Sequence, residues 1–153
     1  MEKLNSLVGV SLLDKNNRET TLSLLKNKKI IGLFFSKYQC PECVKFLPRL
    51  NKLYKEINEK YNDFEIIFIP QNPTQEDFDM YYKKMDFKSI PFSQKEYRMN
   101  IKKKYNIKQL PSIVFINNDC ETITMNGKIL INNLNFNAEQ IYQLLYNCNQ
   151  ENN

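Results

Sequence analysis

Hydrophobic residues occur along this chain in two arrangements: continuous apolar runs, and apolar positions three or four residues apart. Three runs predict strands that are buried on both faces, at 30–36, 64–69 and 112–116. Helical spacing predicts four helices, at about 41–61, 74–85, 94–104 and 138–147. Strands that alternate with helices indicate an α/β fold, in which helices cover both faces of a central mixed β-sheet.

Shorter elements are predicted near the two ends of this alternating pattern. Residues 7–10 and 20–22 predict a short N-terminal strand and a turn. Residues 117–119 predict a turn into a further strand at 121–125, which closes the sheet as a hairpin. The Asn-Gly dipeptide at 126–127 is typical of a tight turn. Thr74 precedes a helical stretch and is the expected cap of that helix.

Length and charge limit the classes of protein to consider. A chain of 153 residues corresponds to about one domain, which we expect to extend over 1–153. The net charge of +5 is modest. The run Lys102-Lys103-Lys104 is interpreted as the solvated face of a helix, with a nucleic-acid or phosphate patch as the alternative.

The location of the protein is predicted from what the chain lacks. No apolar stretch is long enough to cross a bilayer, and the first ten residues do not resemble a secretory signal. We therefore expect a cytoplasmic, reducing setting, and neither a membrane nor a nucleic acid as partner.

The chain contains four cysteines and no histidine. The absence of histidine excludes Ser/His and Cys/His catalysis and most catalytic zinc sites. Neither Cys120 nor Cys148 has a second cysteine at metal-ligand spacing. We interpret Cys120 as a half-buried small residue and Cys148 as an exposed free thiol, with a regulatory or intermolecular disulfide as the alternative.

The segment Cys40-Pro41-Glu42-Cys43 joins the apolar run 30–36 to the helical stretch that follows it. A strand therefore delivers Cys40 to the N-terminus of a helix, where free N–H groups and the helix dipole stabilise a thiolate. Pro41 occupies the first helical position, where a helix tolerates proline best. Glu42 favours the helix start but, as a like charge, disfavours a thiolate on Cys40. This arrangement suits thiol–disulfide exchange, although the cysteine pair by itself could also be half of a zinc site.

Several of these segments together resemble the thioredoxin fold, and more closely its tryparedoxin/nucleoredoxin branch. The residues that carry the resemblance to the fold are Phe34-Phe35-Ser36, the Cys40–Cys43 motif, Phe46, Pro48 and Leu110-Pro111-Ser112. The residues that match the branch are Phe64 to Phe68, Asp77-Phe78, Tyr81-Tyr82, Met85 and Pro91-Phe92. The resemblance covers about 29–124, within a redox core that we expect at about 29–148.

The resemblance implies a role for the residues of the motif and for one proline. Cys40 corresponds to the exposed nucleophile, and Cys43 corresponds to the resolving thiol. Pro111 corresponds to the cis-proline that faces the redox pair, and the backbone of Leu110 to the binding site of an extended substrate segment. The residues expected to contact substrate are Gln39, Pro41, Glu42, Leu110 and Pro111. The redox-active disulfide Cys40–Cys43 is expected to act without a metal or another cofactor.

The chain also departs from the family pattern at five places. Gln39 stands where the family usually has tryptophan, Glu42 where the tryparedoxins commonly have proline, and Val44 where they have arginine. Phe34 replaces the buried acid of thioredoxins, and Pro-Gln-Asn at 70–72 replaces the Trp-Asp-Glu of tryparedoxins. The family chemistry is therefore expected here, whereas trypanothione as the reductant is not supported.

The function that the resemblance implies is that of a thiol–disulfide oxidoreductase, a protein-disulfide reductase in cell redox homeostasis. Its expected clients are disulfide-containing proteins such as peroxiredoxins, its electron donor is a low-molecular-weight thiol or a flavin reductase, and the protein is expected to be a monomer. Two other classes stay open. One is a redox-weak thioredoxin-like module that binds proteins. The other is a disulfide isomerase or chaperone of the secretory pathway, which the missing signal sequence disfavours.

Overall fold

A mixed seven-stranded sheet forms the centre of the structure, a computed structural model that describes residues 2–151. Met1, Asn152 and Asn153, which belong to the predicted 1–153 domain, lie outside the described residues. The strands are β1 (Ser11–Leu13), β2 (Glu19–Thr21), β3 (Ile30–Ser36), β4 (Phe64–Pro70), β5 (Lys88–Ser89), β6 (Ser112–Ile116) and β7 (Thr122–Thr124). The helices are α1 (Glu2–Val8), α2 (Pro41–Lys60), α3 (Gln75–Tyr82), α4 (Lys95–Lys104), α5 (Gly127–Asn132) and α6 (Ala138–Glu151), and a 3₁₀ turn covers Leu22–Leu25.

The strands lie in the order β2-β1-β5-β4-β3-β6-β7. Strand β4 is parallel to β3 and β5, whereas β6 is antiparallel to β3 and to β7. The last residues of β3, β4, β5 and β7 and the first residues of β6 therefore share one edge of the sheet. We call it the Cys40 edge, and it comprises residues 36–40, 70–72, 90–92, 110–111 and 125–127.

Both faces of the sheet are covered by helices, because successive side chains of a strand point to opposite faces. In β3, Ile30 and Phe34 belong to a core that α2, α3 and α6 complete. Leu33 and Phe35 belong to a second core, to which α1 and α4 contribute. The predicted mixed sheet with helices on both faces is thus confirmed, as are the three buried strands. No helix among residues 2–151 is both long enough and apolar enough to span a lipid bilayer.

The predicted cap of α3 is confirmed, since the Thr74 hydroxyl accepts a hydrogen bond from the Asp77 N–H at 3.1 Å. The strand predicted at 7–10 is wrong. Leu7 and Val8 end helix α1, whose apolar positions also include Leu4 and pack into the second core. Residues 7–10 do not alternate clearly between apolar and polar, so their pattern is compatible with a strand or with a helix. Packing of this segment against α4 favours the helix.

The tight turn predicted at Asn126-Gly127 is also wrong, because Gly127 begins helix α5. A Cβ at this position would lie 2.7 Å from the carbonyl oxygen of Ile113 in β6. The glycine therefore allows the start of α5 to approach the backbone of β6, which is a second common use of glycine. As a result, α5 lies beside the Cys40 edge, after the predicted closing hairpin, which is present as the antiparallel pair of β6 and β7.

Candidate active site

Cys40 lies where β3 has ended and α2 begins, as the cap residue of the helix. Its Sγ accepts a hydrogen bond from the Cys43 N–H at 3.3 Å, one of the free N–H groups of the first helical turn. The Cys40 thiol also lies 3.7 Å from the carbonyl oxygen of Leu110, to which it can donate. Cys40 is therefore half-exposed, and its sulfur contacts a free N–H group at the start of the helix.

Cys43 lies one helical turn further along α2 and is fully buried. Burial raises the pKa of the Cys43 thiol to about 11, and the hydrogen bond with Cys40 raises it as well. The Ser36 hydroxyl and the backbone at Lys37 lower it in part. The two cysteines thus differ in accessibility, since Cys40 is half-exposed and Cys43 is fully buried.

Two buried hydroxyl groups lie beside Cys43. The Ser36 and Tyr81 hydroxyl oxygens are 2.7 Å apart, and the Tyr81 hydroxyl lies 3.4 Å from the Cys43 carbonyl oxygen, to which it can donate. Burial raises the pKa of Tyr81, so this phenol stays protonated at neutral pH. Phe34, at the position of the absent acid, is fully buried in the first core. A hydroxyl pair, and not a carboxylate, therefore lies beside Cys43 in the described part of the chain.

Leu110 and Pro111 approach the cysteine pair from the start of β6. The peptide bond between them is cis, as the resemblance implied. Pro111 is buried and Leu110 is half-buried, and the Leu110 carbonyl faces Cys40 at the distance given above. The structure therefore brings together four of the predicted site residues, from two segments that are 70 positions apart.

The other three predicted site residues are exposed on the same surface. Pro41 occupies the first position of α2, and Gln39 precedes the helix. Glu42 forms an ion pair with Lys128 of α5, with a distance of 3.3 Å between Nζ and Oε2. The positive charge of Lys128 therefore partly offsets the negative charge of the Glu42 carboxylate next to Cys40. The sequence does not single out Lys128, and it indicates Ser36 and Tyr81 only through the family resemblance. Their contacts at the site were missed because their spacing along the chain carries no signal of contact.

The remaining cysteines lie away from this pair. Cys120 is half-buried near α1 and α4, and burial raises the pKa of its thiol. Cys148 is exposed on α6. Within the part of the chain that the structure describes, no three His, Cys, Asp or Glu side chains gather as metal ligands would.

Known proteins share this sequence and this fold. A family model described as thioredoxin-like matches residues 27–122. The tryparedoxin of Trypanosoma brucei brucei is 31% identical over 117 residues, which cover 76% of this chain and 80% of that protein. The nucleoredoxin of Danio rerio is 29% identical over 119 residues, which cover 78% of this chain but 28% of that protein. The chain thus spans less than a third of the length of this nucleoredoxin.

A solved structure agrees with these sequence matches. Tryparedoxin II from Crithidia fasciculata superposes with a TM-score of 0.79 and 26% sequence identity, over 85% of this chain and 86% of that one. Its fold is therefore the one described above. The chain belongs to the thioredoxin-like family of oxidoreductases, in the tryparedoxin/nucleoredoxin-like branch.

Proposed function

We propose that this chain is a thiol–disulfide oxidoreductase that reduces protein disulfides through the dithiol of Cys40 and Cys43. The observation that carries the proposal is the pairing of a half-exposed thiol at a helix N-terminus with a buried thiol one turn later. The Cys40 thiol can react with a protein substrate, and the Cys43 thiol can then react with Cys40. Similarity to tryparedoxins and nucleoredoxins supports dithiol chemistry of this kind.

The proposed reaction has two steps. The Cys40 thiolate attacks one sulfur of a client disulfide, forms a mixed disulfide and releases the other client sulfur as a thiolate. The Cys43 thiolate then attacks the Cys40 sulfur, which releases the second client thiolate and leaves a Cys40–Cys43 disulfide. The client gains two electrons, its thiolates take up protons, and the chain is oxidised by the same two electrons.

A two-electron donor must return the disulfide to the dithiol. We propose a low-molecular-weight thiol or a flavin reductase as this donor and peroxiredoxins among the clients. One solved structure that resembles this chain, with a TM-score of 0.75 and 26% identity, is tryparedoxin II complexed with glutathionylspermidine. That complex supports a small thiol as donor, while Gln71 and Asn72 in place of two acids argue for a different thiol here.

Five further features belong to the proposal. The chain folds as a single domain over 1–153 and acts as a monomer in the cytoplasm. Its redox group is the Cys40–Cys43 disulfide alone, with no metal or other cofactor. Substrate contacts come from Gln39, Pro41, Glu42, Leu110 and Pro111, which lie around Cys40 at the edge of the sheet.

Insulin reduction tests the proposal directly. Insulin B chain should precipitate faster when the chain is added to dithiothreitol than with dithiothreitol alone. The reason is that Cys40 attacks the insulin disulfides, and dithiothreitol then reduces the Cys40–Cys43 disulfide. The Cys40→Ser variant should abolish this acceleration, and Cys148→Ser should retain it as the matched cysteine control. Equal rates for the chain and the Cys40→Ser variant would contradict the proposal.

The reduction potential of the Cys40/Cys43 couple decides the direction of electron flow. We expect a value near that of thioredoxin, about −270 mV, because burial disfavours a thiolate on Cys43, and the reduced form therefore lacks the stabilisation that makes DsbA an oxidant. Equilibration with glutathione redox buffers, followed by alkylation, measures the potential. A value near that of DsbA, about −120 mV, would make the chain an oxidant instead.

A redox-weak module that binds proteins is the second candidate. The replacement of the buried acid by Phe34 favours it, since no carboxylate takes part in removing the Cys43 proton and the pKa of that thiol is high. The same insulin assay decides between the two, because a module of this kind would be as inactive as the Cys40→Ser variant.

A further inference from the structure

An open groove of about 400 Å³ lies between α4 and the segment that follows β4. Among the described residues, its lining includes three cationic side chains and two apolar ones, and no carboxylate. The lining residues are Gln71, Arg98, Met99, Lys102, Lys103, Asn106 and Ile107. Two of the three lysines that the sequence places on the solvated face of α4 thus line a concave surface.

Two contacts fix the orientation of Arg98 in the lining of this groove. Its Nη1 donates to the Pro70 carbonyl at 3.2 Å, and the guanidinium lies 4.3 Å above the Phe92 ring. The Arg98 Nε is buried and has no hydrogen-bond partner among residues 2–151. Burial also lowers the pKa of Arg98. The guanidinium is therefore preorganised while part of its donor capacity is unused.

The charge of the groove is uncompensated. Within residues 2–151, Arg98, Lys102 and Lys103 form no ion pair with a carboxylate. Of these three, Arg98 is partly buried, and a buried cation without a counter-charge is costly, so an anionic ligand would relieve that cost. Lys102 and Lys103 are exposed and free to pair with such a ligand. Cationic side chains and no acid therefore make the groove complementary to a negatively charged partner.

The groove adjoins the surface around Cys40 on two sides. The Gln71 N–H donates to the Ser36 carbonyl at 3.0 Å, at the end of β3. Ile107 precedes Leu110 by three residues, which span at most about 10 Å. Met99 is 59% exposed and Ile107 is half-buried, so apolar contacts lie among the cations. An extended chain bound at Leu110 can therefore reach the groove within a few residues.

We propose that this groove binds an acidic segment of the client protein, which flanks the disulfide that Cys40 attacks. Acidic side chains of the segment pair with Arg98, Lys102 and Lys103, and its apolar side chains contact Met99 and Ile107. The identity of the partner as a redox client rests on the proposed function, whereas the chemistry of the groove stands on the contacts above. The groove thus selects clients by charge next to the site of exchange.

A binding assay without redox chemistry tests this proposal. The full chain carrying Cys40→Ser is titrated into a fluorescein-labelled peptide of alternating Asp and Leu, and anisotropy reports binding. The same peptide with Asn for every Asp measures the contribution of charge. A double variant with Lys102→Gln and Lys103→Gln is compared with a double variant that carries Lys15→Gln and Lys26→Gln. Lys15 and Lys26 are exposed and lie at the opposite edge of the sheet.

The acidic peptide should bind more tightly than its Asn counterpart, and the Lys102/Lys103 variant should weaken its binding by about threefold to thirtyfold. The Lys15/Lys26 variant has the same net charge and should bind like the parent. Equal weakening by both variants, no preference for the acidic peptide, or tighter binding of a single-stranded oligonucleotide would each overturn the proposal. Reduction of hydroxyethyl disulfide by the unsubstituted chain tests the proposed function separately, so the two can fail independently.

Discussion

Replacing Ser36 with alanine should slow the second step of the proposed exchange and leave the first step unchanged. Ser36 is fully buried at the end of β3, and its hydroxyl lowers the pKa of the Cys43 thiol through a hydrogen bond. When Cys43 ionises, the Ser36 hydroxyl can donate to the thiolate while the Tyr81 hydroxyl, 2.7 Å away, donates to Ser36. Alanine removes this donor from a site that water does not reach.

The magnitude follows from the strength of such a bond. A hydrogen bond to a charged group contributes about 1.5–3 kcal/mol, and about 1.36 kcal/mol corresponds to one pKa unit. The Ser36→Ala variant should therefore form the Cys43 thiolate about ten- to a hundredfold less often at a given pH. Because the pKa of Cys43 in the dithiol is about 11, the rate of the second step should rise with pH through the neutral range in both proteins.

Stopped-flow mixing of the reduced chain with dithiobis(nitrobenzoate) separates the two steps, provided that every protein compared carries Cys120→Ser and Cys148→Ser, so that only Cys40 and Cys43 release thionitrobenzoate. The attack by Cys40 releases the first thionitrobenzoate, and the attack by Cys43 on the mixed disulfide releases the second. Ser36→Ala should slow only the second phase, and Tyr81→Phe should slow it less, because the Ser36 hydroxyl remains. The reasoning is refuted if the second phase of Ser36→Ala matches that of the parent, or if both phases slow equally.

Two substitutions test the packing that positions the site, with unfolding in urea as the measurement for both. Lys88→Met should lower the free energy of unfolding by about 2 kcal/mol, because it leaves the Glu65 carboxylate, 3% exposed, without the ammonium group 2.8 Å away. The exposed Lys95→Met is its control, and an equal loss in both would show that the buried pair contributes nothing. Gly127→Ala should cost about 1–3 kcal/mol, since the new Cβ would lie 2.7 Å from a carbonyl oxygen of β6. Asn126→Ala at the neighbouring exposed position should cost less, and equal stability of Gly127→Ala and the parent would rule out the close approach.

Local patterns in the sequence predicted most of the fold and the centre of the site. The strands at 30–36 and 112–116 and the start of α2 agree with the structure, because each depends on residues that are neighbours in the chain. The same patterns failed at α1 and α5. Short segments carry little periodicity, and packing against α4 and against the backbone of β6 decides their conformation.

The sequence by itself determined that Cys40 stands at the N-terminus of a helix with Cys43 one turn away, since four consecutive residues and the strand before them specify this. Only the tertiary structure decided what surrounds the pair. Ser36 and Tyr81, which share a hydrogen bond, are 45 positions apart in the chain. The ion pair of Glu42 and Lys128 joins residues 86 positions apart, and the hydrogen bond from Arg98 to Pro70 joins residues 28 positions apart. Contacts over such separations depend on the strand order and on which face each side chain occupies. The thiol pair is therefore a local property of the chain, while its proton environment and its charged neighbours are properties of the folded sheet.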